Sequence, residues 1–96
     1  MTKPTMIPIL GTEFKVDYTT KLAKDEYGHT IGNDRSIKIK SALKGEILKA
    51  TLIHEVCHAI LHCSGQSENL TEEQEEAIVV ALEHGLTPIF ALDISK

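Results

Sequence analysis

His54-Glu55-Val56-Cys57-His58 is where this chain could do chemistry. The pentapeptide reads H-E-x-x-H, and it lies inside Leu48 to His62, a span whose pattern predicts one helix. On a helix, two imidazoles four residues apart stand one turn above each other, with roughly 6 Å between them. A zinc ion bonded at about 2.0–2.1 Å is within reach of one nitrogen from each ring. The glutamate between them can then act as base toward a water that the ion activates. A shuffled chain of this composition carries the pattern in roughly 3 of 100 cases, so its surroundings have to support it.

They do. With His54 set at zero on a helical wheel of about 100° per residue, His58 falls near 40°, Thr51 near 60°, His62 near 80° and Glu55 near 100°. Leu52, Ile53, Val56, Cys57, Ala59, Ile60, Leu61 and Cys63 fill the remaining sector. Such a helix is expected to be central and buried, with the motif on its one polar stripe. Buried polar groups without partners are costly. Ordinary hydrogen bonds could satisfy a core histidine, but a metal in a cleft accounts for the whole set.

Zinc in a catalytic site takes three protein ligands and leaves one position open. His62 is about 12 Å along the axis from His54, too far to share an ion held by both His54 and His58. A second helix is expected from Thr71 to about His84, opened by the capping box Thr71-Glu72-Glu73-Gln74 and rich in acids. Glu75 is centred on its apolar stripe of Ile78, Val79, Leu82 and Leu86, and Glu76 lies at the stripe's edge, near 100°. A carboxylate amid an apolar face needs a cation. Glu75 is therefore the expected third ligand, with Glu76 the alternative. Glu72, Glu73 and Glu83 are expected in solvent, and His84 is expected to be exposed.

The elements that must hold this site follow from the rest of the chain. Glu13 to Tyr18 and Ser36 to Lys40 alternate polar and apolar residues, the period of half-buried strands. Tyr27 to Ile31 is a weaker strand, closed by the turn formers Gly32-Asn33-Asp34. Ile7 to Leu10 is a brief apolar run before the turn at Gly11-Thr12. Ser41 is the candidate cap of the motif helix, and Ser64-Gly65 its stop. Pro88 to Leu92 is expected to form a short last helix. The fold expected is α+β: an antiparallel sheet of about three strands packed on the motif helix and a glutamate-bearing second helix, in one domain spanning residues 1–96.

Composition excludes several functions. A formal charge of −4 argues against a surface built for nucleic acid. No apolar run approaches the length of a membrane span, and Met1 to Leu10 lacks the apolar centre of a signal peptide. Cys57 and Cys63 lie about 9 Å apart along one predicted helix, too far for a disulfide, and read as small apolar residues of a reducing compartment. The cytoplasm is the compartment expected.

His54 to His62, followed by a helix carrying Glu75-Glu76-Ala77, resembles the gluzincin branch of zinc metallopeptidases. Within it, the pattern is similar to small ImmA/IrrE-type and SprT-like proteins, many of them from phages and prophages. The likeness covers roughly residues 7–86 and is more specific for the zincin class than for the subfamily. It implies a minimal zincin-like domain in which His54, His58 and Glu75 hold Zn²⁺ and Glu55 is the general base for peptide-bond hydrolysis. The partner implied is a protein or peptide substrate, in the host cytoplasm if the chain is phage-encoded. Tyr18, Tyr27, His29 and His62 are unranked candidates for stabilising the oxyanion. The competing expectation is a non-catalytic, zinc-stabilised phage protein that binds a host factor, because a small core gains much from a metal.

Overall fold

A computed structural model describes residues 3–90. Four strands precede two helices: β1 (Met6–Ile9), β2 (Thr12–Thr19), β3 (Gly28–Ile31), β4 (Ser36–Lys40), α1 (Gly45–Cys63) and α2 (Glu72–Leu86), with a 3-10 turn at Gln66–Asn69 between the helices. The expected α+β architecture is present.

The sheet differs from expectation in two ways. It has four strands, because the run before Gly11 forms β1 and pairs antiparallel with β2 from Met6↔Lys15 to Ile9↔Thr12. It is also mixed, in the order β1-β2-β4-β3, with β2 and β4 parallel and β3 antiparallel to β4. The chain leaves β2, lays β3 down at the edge and turns back through Gly32–Arg35 to insert β4 between them. Side chains explain the choice. Ile37 and Ile39 of β4 are fully buried, which suits an interior strand. Gly28, His29 and Thr30 give β3 little apolar surface, which suits an edge.

The alternation in β2 sorts as its pattern predicts. Phe14 and Val16 point into the core, while Glu13 and Lys15 face solvent. Tyr18 is partly buried against that core, and its hydroxyl donates to the Pro4 carbonyl at 2.6 Å. Phe14, Val16, Ile37 and Ile39 meet Leu48, Leu52 and Ala59 of α1, forming the main cluster between sheet and helix.

Helix α1 begins three residues before the predicted span. Lys44 is its N-cap and no side chain caps it, so Ser41 does not have the expected role. It ends at Cys63, one residue before Ser64-Gly65. Cys57 is buried, and both thiols are free. The predicted capping box opens α2: Thr71 Oγ1 accepts from the Gln74 N–H at 3.1 Å, and Gln74 Oε1 accepts from the Thr71 N–H at 2.9 Å. Beyond α2, Thr87 to Ile89 is a turn rather than the start of another helix. Ala91 and Leu92, the end of that expected helix, lie outside the described residues. Among the described residues, no helix is long and apolar enough to cross a membrane.

A second, smaller cluster joins the helices. Ile53 and Cys57 of α1 close on Val79 of α2, with Leu61 and Leu86 packed around them. Val79 is the one buried residue of α2. That contact sets how α2 is turned about its own axis, and so which of its glutamates meet the motif.

Candidate metal centre

Both motif histidines leave α1 on the side facing α2, with ring centroids 5.0 Å apart and planes at 60°. Each ring is gripped at both nitrogens by a glutamate of α2. His54 Nδ1 lies 2.8 Å from Glu83 Oε1, and His58 Nδ1 lies 2.6 Å from Glu75 Oε2. The two Nε2 atoms converge on a single oxygen: Glu76 Oε1 is 3.0 Å from that of His58 and 3.3 Å from that of His54.

Hydrogen-bond accounting gives this arrangement its meaning. Carboxylates accept and do not donate, and a neutral imidazole carries one N–H. If each ring gives its N–H at Nδ1 to Glu83 or Glu75, two Nε2 lone pairs are left pointing at a carboxylate oxygen. Donor atoms so placed repel one another unless a cation lies between them. The two distances to Glu76 are close to those a zinc ion sets between its ligands. Tetrahedral bonds of about 2.0–2.1 Å put neighbouring ligand atoms roughly 3.3–3.4 Å apart. His54, His58 and Glu76 each offer one ligand atom, and all three atoms lie within 4.8 Å of one another. Two imidazoles and one carboxylate form a recognised donor set for catalytic zinc. Glutamates on Nδ1, as here, are the kind of partner that fixes the tautomer and orientation of a histidine when it binds a metal.

Glu75, the expected third ligand, therefore lies outside this group and holds His58 from behind, while its alternative Glu76 faces both histidines. Both positions on α2 are those the wheel predicts: Glu75 faces inward, its side chain 20% exposed, and Glu76 stands at the edge, 53% exposed. The wheel does not give reach: from the edge, Glu76 Oε1 meets both Nε2 atoms, whereas Glu75 meets Nδ1 of His58. Of the apolar stripe Val79 is buried, while Ile78 and Leu82 remain 39% and 40% exposed. Glu83 was expected in solvent, yet its side chain is only 22% exposed. The signal for it was its spacing: it stands seven residues, about two turns, beyond Glu76 on the same face. His84 is exposed, as its place on the wheel predicts.

Glu55 is nearly enclosed, at 6% exposed. Its Oε1 accepts from the Thr30 hydroxyl of β3 at 2.7 Å. Burial pushes its carboxyl above the ordinary glutamate range; the Thr30 hydrogen bond and the nearby His54, His58 and His29 pull part of the way back. Burial acts upward on Glu75 too, but there hydrogen bonds from Ser67 and His58 prevail, with His62 adding to them, and its carboxyl ends below its ordinary value.

A cleft of about 560 Å³ opens over these groups, with His54, Glu55 and His58 on one wall, Glu75 and Glu76 on another, and β3 on a third. His62 lines it near the end of β3. Its ring lies so close to Gly32 that a Cβ there would run into three ring atoms. Of the four candidates for stabilising an oxyanion, His29 and His62 line the cleft, while Tyr18 sits in the sheet and bonds Pro4. Comparison with protein-family models, with curated proteins and with solved structures finds no match to this chain.

Proposed function

We propose that this chain is a zinc-dependent metallopeptidase. The observation that carries the reading is the convergence of two imidazole nitrogens on one Glu76 oxygen, with the buried Glu55 carboxylate beside them in an open cleft. His54, His58 and Glu76 hold the ion, and Glu83 and Glu75 keep the two rings turned toward it. When bound, the ion supplies Lewis acidity, drawing the pKa of a water toward about 7 and polarising the scissile carbonyl. Glu55 takes the proton from the attacking water and gives it to the leaving amine. Its enclosed position suits that task, because burial strengthens the carboxylate's hold on a proton that it must first accept and then release. A substrate peptide lies extended along the open side of β3, which among the described residues is an edge strand. The cytoplasm, with its reduced thiols, is the compartment proposed, and it suits the free Cys57 and Cys63.

The test is zinc quantification on purified protein, followed by cleavage of fluorescein-labelled casein by wild type and Glu55→Gln. The expected result is near-stoichiometric zinc in both and turnover in wild type alone. Equal cleavage by both would overturn the role of Glu55. Zinc in both with no cleavage by wild type would favour the non-catalytic, metal-stabilised module.

A further inference from the structure

Resting on that reading, we infer that the edge strand β3 prepares the general base: Thr30 is a positioning residue that fixes one oxygen of Glu55, and Gly28 keeps the other uncovered. Gly28 and Thr30 are two residues apart on β3, so both face α1. The Thr30 hydroxyl lies 2.7 Å from Glu55 Oε1 and 3.0 Å from the Glu55 main-chain carbonyl. It thus meets the residue at two points, one on the backbone of the helix and one on the reacting group. The first holds the hydroxyl in register with α1, and the second transmits that register to the carboxylate.

Oε1 is thereby occupied, which leaves Oε2 as the oxygen that exchanges the proton. Gly28 decides whether Oε2 is free. A Cβ at Gly28 would stand 3.1 Å from Oε2, 2.9 Å from Glu55 Cγ and 3.1 Å from Thr51 Cγ2. The Glu55 side chain lies in the space where a larger residue would put its own. The Gly28 backbone is not in the left-handed region, so glycine serves here for room rather than for conformation.

The contact survives turnover. With Glu55 as carboxylate, Thr30 donates to Oε1. Once Glu55 has taken the water's proton on Oε2, Oε1 is still an acceptor, and the Thr30 hydroxyl goes on donating to it. The base keeps one position through both halves of the reaction.

Three variants test this: Thr30→Val, Thr30→Ser and Gly28→Ala. Valine replaces the hydroxyl with a methyl of similar size and suits a strand, so the fold should persist. Crystals of each zinc-soaked protein report where Glu55 points, and casein turnover reports what that does. The expected result for Thr30→Val is a Glu55 carboxylate displaced from its wild-type place, zinc retained, and kcat lowered roughly 10- to 100-fold with little change in KM. Thr30→Ser should restore the contact and most of kcat. Gly28→Ala should push Glu55 aside and lower kcat likewise. An undisplaced Glu55 in Thr30→Val, or wild-type kcat in that variant, overturns the inference. Should wild type bind zinc and cleave nothing while Glu55 still moves in Thr30→Val, the positioning contact stands and the peptidase reading falls.

Discussion

Removing the α2 glutamates one at a time is the sharpest trial of the metal centre, because the geometry ranks them. Glu76 faces both Nε2 atoms, at 3.0 and 3.3 Å, and its loss removes a ligand. Zinc bound by four protein ligands is held by about 10–16 kcal/mol, so one ligand is worth on the order of 2.5–4 kcal/mol, or roughly a hundred- to a thousandfold in Kd. Glu75 and Glu83 act through the opposite ring nitrogens, at 2.6 and 2.8 Å. Their side chains are about one-fifth exposed, so solvent weakens these contacts somewhat. Losing either should weaken zinc binding by roughly 10- to 100-fold, toward the lower figure. Glu73, exposed on the same helix, controls for loss of one negative charge. The assay is competition with a chromophoric chelator at fixed pH and salt, on four alanine variants and wild type. The expected order of damage is Glu76, then Glu75 and Glu83, then Glu73. If Glu75→Ala loses more affinity than Glu76→Ala, the ligand role returns to Glu75. If Glu76→Ala matches Glu73→Ala within about twofold, the scale of an ordinary surface change, there is no such centre.

Three further outcomes are expected. Burial holds the Glu55 carboxyl above its ordinary value, so the fold favours its neutral form; that stabilisation is complete below the unfolded value of about 4.3 and is lost as pH rises through the folded one. Metal-free Glu55→Gln, neutral throughout, should therefore melt above wild type at pH 8 and converge with it near pH 4, and a pH-independent gap would contradict the burial argument. Phe14→Ala empties the fully buried centre of the core and should remove about 3–5 kcal/mol, enough to lower the urea midpoint by roughly 2 M or abolish the cooperative transition; a loss below about 1 kcal/mol would mean the core collapses around the gap. Zinc at a hundredfold excess over its Kd should stabilise the chain by about 2.7 kcal/mol, roughly 10–20 °C in melting temperature for a domain this small, and Glu76→Ala should show little of that rise in a thermal scan with and without chelator.

What the sequence disclosed and what it withheld divide along a physical line. Local signals read true. The capping box at Thr71 and Gln74 formed, the alternation of Phe14 and Val16 sorted inside from outside, and the motif helix stopped at Ser64-Gly65. These depend on neighbours a few residues away. The parallel pairing of β2 with β4 did not show, because it joins residues about twenty apart and is chosen by how well Ile37 and Ile39 fill the interior. The choice among the glutamates was hidden for the same reason. Ile78, Val79 and Leu82 placed Glu75 on the inward face, where it is, against His58; that the more exposed Glu76 reaches both Nε2 atoms depends on how α2 docks on Ile53 and Cys57 through Val79. Residue types announced that α2 would answer the motif, and tertiary contact decided which carboxylate answers which nitrogen.

Among the described residues, the apolar seam between α1 and α2 is narrow: three buried side chains and two partly buried ones. The ion would act as a rivet across it, since both imidazoles come from one helix and the Glu76 carboxylate from the other. In a zinc-starved cell, α2 would be held by that seam and by the contacts of His54 with Glu83 and His58 with Glu75, and the chain's lifetime against degradation would follow the supply of the metal. Limited proteolysis between Ser64 and Thr71, fast in chelator and slow in zinc, would register that dependence; equal rates would show that the seam suffices unaided.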